Sequence, residues 1–179
     1  MAVPYLAPYE VAESLLACVC AELDAAQAAL APAVTVAGCP DRACVAVGSP
    51  AWEDCCDGEL MVLLERTFAV RDFPNEDRTA TDCYPQRMAG TYLIRVLRCA
   101  CTSDEAAPTC ACRAEEARQV TSDATAVARA LTCCFGDGGA LEDVDWVFDG
   151  ASIVGPNGGC IGGETRVTVE LDWCTCDQT

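Results

Sequence analysis

Sixteen of the 179 residues are cysteine and none is histidine. Sulfur at this density constrains the fold, because each thiol must be packed, bound to a metal or oxidised to a disulfide. The stretch 98–113, "RCACTSDEAAPTCACR", poses the choice most sharply, with Cys99, Cys101, Cys110 and Cys112 in two C-x-C pairs. Structural zinc takes C-x₂₋₄-C knuckles, whose spacing residues bend the chain around the ion. Only Cys39 and Cys44 approach that spacing. C-x-C on an extended strand puts both thiols on one face, which suits packing or separate disulfides better than a single tetrahedron. For this candidate cluster, buried or free thiols, disulfides and a metal all stay open.

Disulfide scaffolds are normally short and secreted. This chain is long, and its first residues, "MAVPYLAPYEVAESLLACVC", have no basic region, with Glu10 and Glu13 ahead of the apolar stretch. They are not expected to be a signal peptide. No run of about 18 apolar residues reads as a membrane span. A protein made in a host cytoplasm and later exposed outside the cell reconciles these facts, and a virion component has that history.

The formal net charge is −17, and all 11 basic residues are arginine. Phosphate contacts need clustered positive charge, so nucleic-acid binding by a basic patch is not expected. The absence of lysine, with so much Ala, Gly and Arg, points to a GC-rich genome. Without histidine, Ser-His-Asp and Cys-His catalysis and His-containing zinc sites are excluded. "GDGG" at 136–139 and "GPNGGCIGG" at 155–163 lack the lysine and the strand-to-helix setting of a phosphate loop. Asp54, Asp57 and Glu59, and the run Glu142, Asp143 and Asp145, are candidates for acid–base work or a divalent cation. On so acidic a chain they read first as a solvated surface. Cys55–Cys56 and Cys133–Cys134 are adjacent pairs, but no C-x-x-C stands on a βα unit. The expectation is a non-enzyme with no catalytic residue, cofactor or metal ligand.

Residues 9–30 read as a helix, with Leu16, Val19, Leu23, Ala26 and Leu30 on one stripe. Residues 31–57 are loop-rich, with a short strand at Cys44–Val47. Strands are predicted at 58–70 and 89–101; Tyr92, Ile94 and Val96 share one face of the second, and Leu93, Arg95 and Leu97 the other. Thr109 can cap a helix whose stripe is Val120, Ala124, Val127, Leu131 and Cys134, ending at Gly136. A strand at 143–155 and the glycine-rich "PNGGCIGG" follow. "ETRVTVELDW" alternates Thr165, Val167, Val169, Leu171 and Trp173 with polar residues. Hairpin connections favour antiparallel pairing. The predicted class is α+β in one domain, 1–179: an antiparallel sheet of about four strands with two main helices packed on it.

The strings "CCDGELMVLLERTFAVRDFP" and "YLIRVLRCAC", a helix rich in Ala and Arg, and "GPNGGCIGGETRVTVEL" resemble head–tail connector proteins of tailed phages infecting GC-rich actinobacteria. The layout is similar to the tail terminators of long-tailed siphophages. The resemblance covers roughly 9–173, and its motifs are structural rather than catalytic; the many extra cysteines depart from it. It implies a virion protein of the tail and neck, in a hexameric ring closing the head-proximal end of the tail tube. Implied partners are further copies of the chain, the tail tube protein and a head–tail stopper or other neck protein. DNA would pass through the lumen without specific binding, and no membrane is involved. The alternatives are another neck protein, a stopper or adaptor, or a cysteine-rich metal-binding module.

On this layout Cys99 and Cys101 end a strand and Cys110 and Cys112 begin a helix, so disulfides among them would staple strand to helix. Most thiols are expected to be reduced during folding, with some pairing after lysis. Gly158, Gly159, Cys160, Gly162 and Gly163 form a candidate interface loop. Arg66, Arg95 and Arg98 are expected to pair with acids of a neighbouring subunit, leaving an acidic lumen that Glu142, Asp143 and Asp145 would help to line.

Overall fold

A computed structural model describes residues 7–48, 55–79, 87–102 and 107–171; Asp54, Cys83, Trp173, Cys174 and Cys176 lie outside the described residues. The elements are α1 (Ala7–Leu30), β1 (Ala43–Val47), a 3₁₀ turn (Cys55–Asp57), β2 (Glu59–Val70), β3 (Arg87–Cys99), α2 (Cys110–Cys134), β4 (Trp146–Asn157) and β5 (Cys160–Leu171). The five strands form one sheet in the order β1-β2-β3-β5-β4. β2, β3, β5 and β4 pair antiparallel, and the short β1 adds to β2 in parallel, so the sheet is mixed. The fold is α+β, with both helices on one side of the sheet.

α1 packs beside α2 and over β1 and β2, while α2 packs over β5. Ala12, Leu15, Val19 and Leu23 are the buried apolar positions of α1's spine, stepping by three and four. Of the predicted stripe, Val19 and Leu23 are buried, while Leu15 takes the place expected of Leu16. Leu16 packs at the margin of the core, and Leu30 is 36% exposed. Leu15 and Leu16 are both apolar, and only the position of α2 and the sheet selects between them.

α2 begins at its predicted cap, with Thr109 Oγ1 accepting from the Cys112 amide at 3.2 Å. It buries Val120, Asp123, Ala126, Val127, Ala130, Leu131 and Cys134. Phe135 closes it by donating its amide to the Leu131 carbonyl at 3.2 Å. Phe135 then stacks on Trp146, with ring centroids 4.7 Å apart, joining the helix end to β4.

β3 is covered on both faces. Toward the helices Tyr92, Ile94 and Val96 meet Leu60, Val62, Val167 and Val169. On the reverse face Leu93 packs with Met61 and Leu63, and Leu97 with Cys55 and Cys160. The predicted glycine-rich loop contracts to two residues. Gly158 and Gly159, at φ 57° and 80°, turn β4 directly into β5, because a two-residue hairpin matching the strand twist needs left-handed backbone at both positions. Gly162 lies within β5, where a Cβ would collide with the Val96 carbonyl oxygen of β3. Among the described residues no helix is long and apolar enough to cross a membrane.

Candidate functional site

The helix-facing side of β3 carries Tyr92, Ile94 and Val96 and continues, by strand alternation, to Arg98. Asp123 lies on the buried flank of α2, three residues after Val120 and four before Val127. The two meet in a two-pronged ion pair: Arg98 Nε donates to Asp123 Oδ2 at 2.9 Å and Nη2 to Oδ1 at 3.0 Å. Arg98 is 7% exposed and Asp123 3%. The same Nη2 donates to the Gly38 carbonyl at 2.8 Å. Gln119 Nε2 donates to Asp123 Oδ1 at 2.9 Å, while Gln119 Oε1 accepts from the Ala37 amide at 2.7 Å. Asp24 of α1 accepts from the Cys39 amide at 2.8 Å, and the Cys20–Cys39 disulfide fixes the same loop to α1. Arg98 thus joins β3, α2 and the 37–39 loop at one buried point. Both charges have protein partners, so the arrangement ties three elements together.

The reverse face carries a ladder of polar pairs. Arg95 Nε donates to Glu164 Oε1 at 2.8 Å, directly across from it in the register. Arg166 grips Glu65 with Nε to Oε2 at 3.0 Å and Nη2 to Oε1 at 3.1 Å. The Glu65 carboxylate holds the Arg166 guanidinium above its ordinary pKa. Thr91 and Thr168 share a hydrogen bond of 3.1 Å, and Thr168 donates to Asp149 at 2.7 Å. Arg66 bonds Glu76 at 3.1 Å. The arginines expected to reach a neighbouring subunit, Arg66, Arg95 and Arg98, therefore all have acidic partners within their own chain. The strand register supplies Glu164, the packing of α2 supplies Asp123, and the segment that folds back on the end of β2 supplies Glu76, none of them visible in a linear pattern.

The sulfur is arranged as staples between elements. Disulfides join Cys18–Cys134, Cys20–Cys39, Cys55–Cys160, Cys56–Cys99 and Cys101–Cys112. Within the candidate cluster, Cys101 and Cys112 tie the end of β3 to the start of α2. Cys99 instead leaves the cluster to pair with Cys56, and Cys110 is an exposed free thiol, as are Cys44 and Cys133. The candidate interface loop divides similarly: Gly158 is exposed at the hairpin tip, whereas Cys160 and Gly162 are buried in β5. Among the described residues the carboxylate candidates form no group of three or more. Glu59 is buried and paired with Arg42 at 3.0 Å, and Glu142 accepts from the Gly138 amide at 3.0 Å. Among the described residues no group of three or more acidic or cysteine side chains is placed to hold a metal ion.

Two surface features were not anticipated from sequence. A groove of about 460 Å³ runs between the helices, floored by Ala25, Ala26, Ala29 and Thr125 and flanked by the Glu22–Arg129 pair. A smaller apolar notch opens between α2 and β4, lined by Ala124, Val127, Ala151 and Ile153. Phe148 and Ile153 on this strand are 49% and 58% exposed. No protein-family model matches the chain, and no curated protein matches it in sequence.

Proposed function

We propose that this chain is a structural ring subunit of a long-tailed phage, the tail terminator that closes the head-proximal end of the tail tube. Its partners would be copies of itself, the tail tube protein and a neck protein, in the virion. The resemblance of its strand–helix–strand strings to head–tail connectors supplies the identity of the class. The observation that carries the reading is the pair of free sheet edges. β1 and β4 lie at opposite ends of the sheet, and among the described residues no strand pairs with their outer sides. Val47 at one edge is 85% exposed, and Phe148 and Ile153 project at the other. Two different surfaces on opposite sides of one subunit suit a head-to-tail contact, which closes into a ring when the rotation permits. In this reading the large negative charge keeps the lumen from holding DNA, since a phosphate-binding lining would retain the polymer at each step.

Native mass spectrometry of the purified chain, alone and with the tail tube protein, tests the proposal. A species six times the 18.8 kDa subunit, lost in an Ile153→Asp variant that still folds, is the expected result. A chain that stays monomeric in both conditions and is missing from purified particles overturns it.

A further inference from the structure

Four cysteines meet on the reverse face of the sheet, at the end carrying the 3₁₀ turn. The adjacent Cys55 and Cys56 of that turn reach two different strands: Cys55 bonds Cys160 of β5, and Cys56 bonds Cys99 of β3. The two bridges differ in access. Cys55 and Cys160 are 2% and 0% exposed, packed against Leu97, whereas Cys56 and Cys99 are both exposed. Cys99 and Cys160 are also opposite each other in the β3–β5 ladder. The next pair outward is bonded directly, the Ala100 amide donating to the Gly159 carbonyl at 2.7 Å. Antiparallel pairs alternate, so Cys99 and Cys160 occupy a non-hydrogen-bonded position, where Cα atoms lie about 4.5 Å apart and side chains are closest. That spacing is within the roughly 4.4–6.8 Å a disulfide spans.

We propose that these four cysteines form a thiol–disulfide relay, in which an external dithiol opens the buried bridge through the exposed one. The dithiol attacks the Cys56–Cys99 bond, and its second thiol completes the reduction and leaves as a disulfide. The freed Cys99 thiolate attacks Cys160 Sγ, displacing Cys55 as thiolate, which takes up a proton. Two bonds break, Cys56–Cys99 and Cys55–Cys160. Two form, Cys99–Cys160 and the disulfide of the spent dithiol. The protein gains two electrons and two protons and ends with Cys55 and Cys56 as free thiols. Exchange requires a thiolate beside the target sulfur; the ladder places Cys99 there, while solvent does not reach Cys160. The consequence is mechanical: both tethers of the 55–57 turn are released together, and a cross-strand bridge replaces them.

The test begins by blocking the free thiols with N-ethylmaleimide. One equivalent of dithiothreitol follows, then an acid quench, labelling with a second alkylating reagent and tryptic mapping. The expected product carries label on Cys55 and Cys56 together, with the peptide containing Cys99 joined to that containing Cys160. Label on Cys56 and Cys99 with Cys55–Cys160 intact overturns the proposal. Two variants remove the same exposed bridge and so share any loss of stability. Cys56→Ser leaves Cys99 unpaired and should rearrange to Cys99–Cys160 without reductant. Cys99→Ser leaves no attacking group across the ladder, and dithiothreitol should reduce its Cys55–Cys160 bridge about tenfold more slowly than in the wild type, as loss of a positioned reactant predicts. Equal reduction rates in Cys99→Ser and the wild type, or a Cys56→Ser protein whose Cys99 stays alkylatable, overturn it as well.

Discussion

The two sides of β3 are held by different physics. Toward the helices, Tyr92, Ile94 and Val96 belong to a continuous apolar core, and a buried ion pair, Arg98–Asp123, joins strand to helix. On the reverse side the apolar groups among the described residues fall into three separate clusters, around Leu93, Leu97 and Phe68. Arg95–Glu164, Arg166–Glu65 and two disulfides run among them. Burial stabilises roughly in proportion to apolar area removed from water, about 25 cal/mol per Å². Two long helices supply that area, and a one-turn 3₁₀ segment does not. Where cover is thin, covalent and ionic links take over.

The contrast is broken most directly at Arg98. Arg98→Met leaves Asp123 buried without a countercharge and should cost about 3–5 kcal/mol in urea unfolding. The double variant Arg98→Met, Asp123→Leu should recover most of that loss, because a packed apolar pair replaces a buried ionic one at little net cost. On the reverse side, Cys55→Ser with Cys160→Ser opens a staple spanning 105 residues. It should cost about 2–4 kcal/mol under non-reducing conditions. A value near zero would show that packing alone holds the turn.

A smaller effect is expected inside the apolar core. Tyr92 is fully buried, and its hydroxyl donates to the Pro8 carbonyl at 2.9 Å. Tyr92→Phe should cost about 1 kcal/mol in the same assay. Burial raises the Tyr92 hydroxyl pKa above its ordinary value. The unfolded chain therefore releases that proton first, and stability present below about pH 10 is lost as pH rises beyond it. The Phe variant should lose less over that window. Arg166→Ala removes an exposed pair and should cost less than about 1 kcal/mol, diminishing further with salt.

The regular elements were legible because they rest on local rules. The alternation of "TRVTVEL" places Val167, Val169 and Leu171 inside β5, and Thr109 caps α2 as a polar residue before an apolar stripe should. The hub was half legible: Asp123 sits on an apolar helix flank, and Arg98 shares the parity of Ile94 and Val96. A charged residue of each sign on two buried surfaces is a pairing signal, but the linear pattern equally permitted a neighbour's acid. The sulfur was least legible. Cys99 has Cys101 two residues away and Cys110 and Cys112 within easy reach, yet its partner is Cys56, 43 residues earlier.

Residue types and their spacing, read alone, determined the two helices, the alternating strands and the α+β class, because hydrogen-bond periodicity and side-chain direction are set within a few residues. They also determined the acidity and the lack of any imidazole chemistry. Tertiary structure alone decided the parallel addition of β1, the burial of Leu15 rather than Leu16 in α1 and the internal partners of Arg66, Arg95 and Arg98. It likewise decided which cysteines meet. A disulfide needs two Cα atoms within about 4.4–6.8 Å, and that distance is set by strand register and helix docking across scores of residues, not by spacing along the chain.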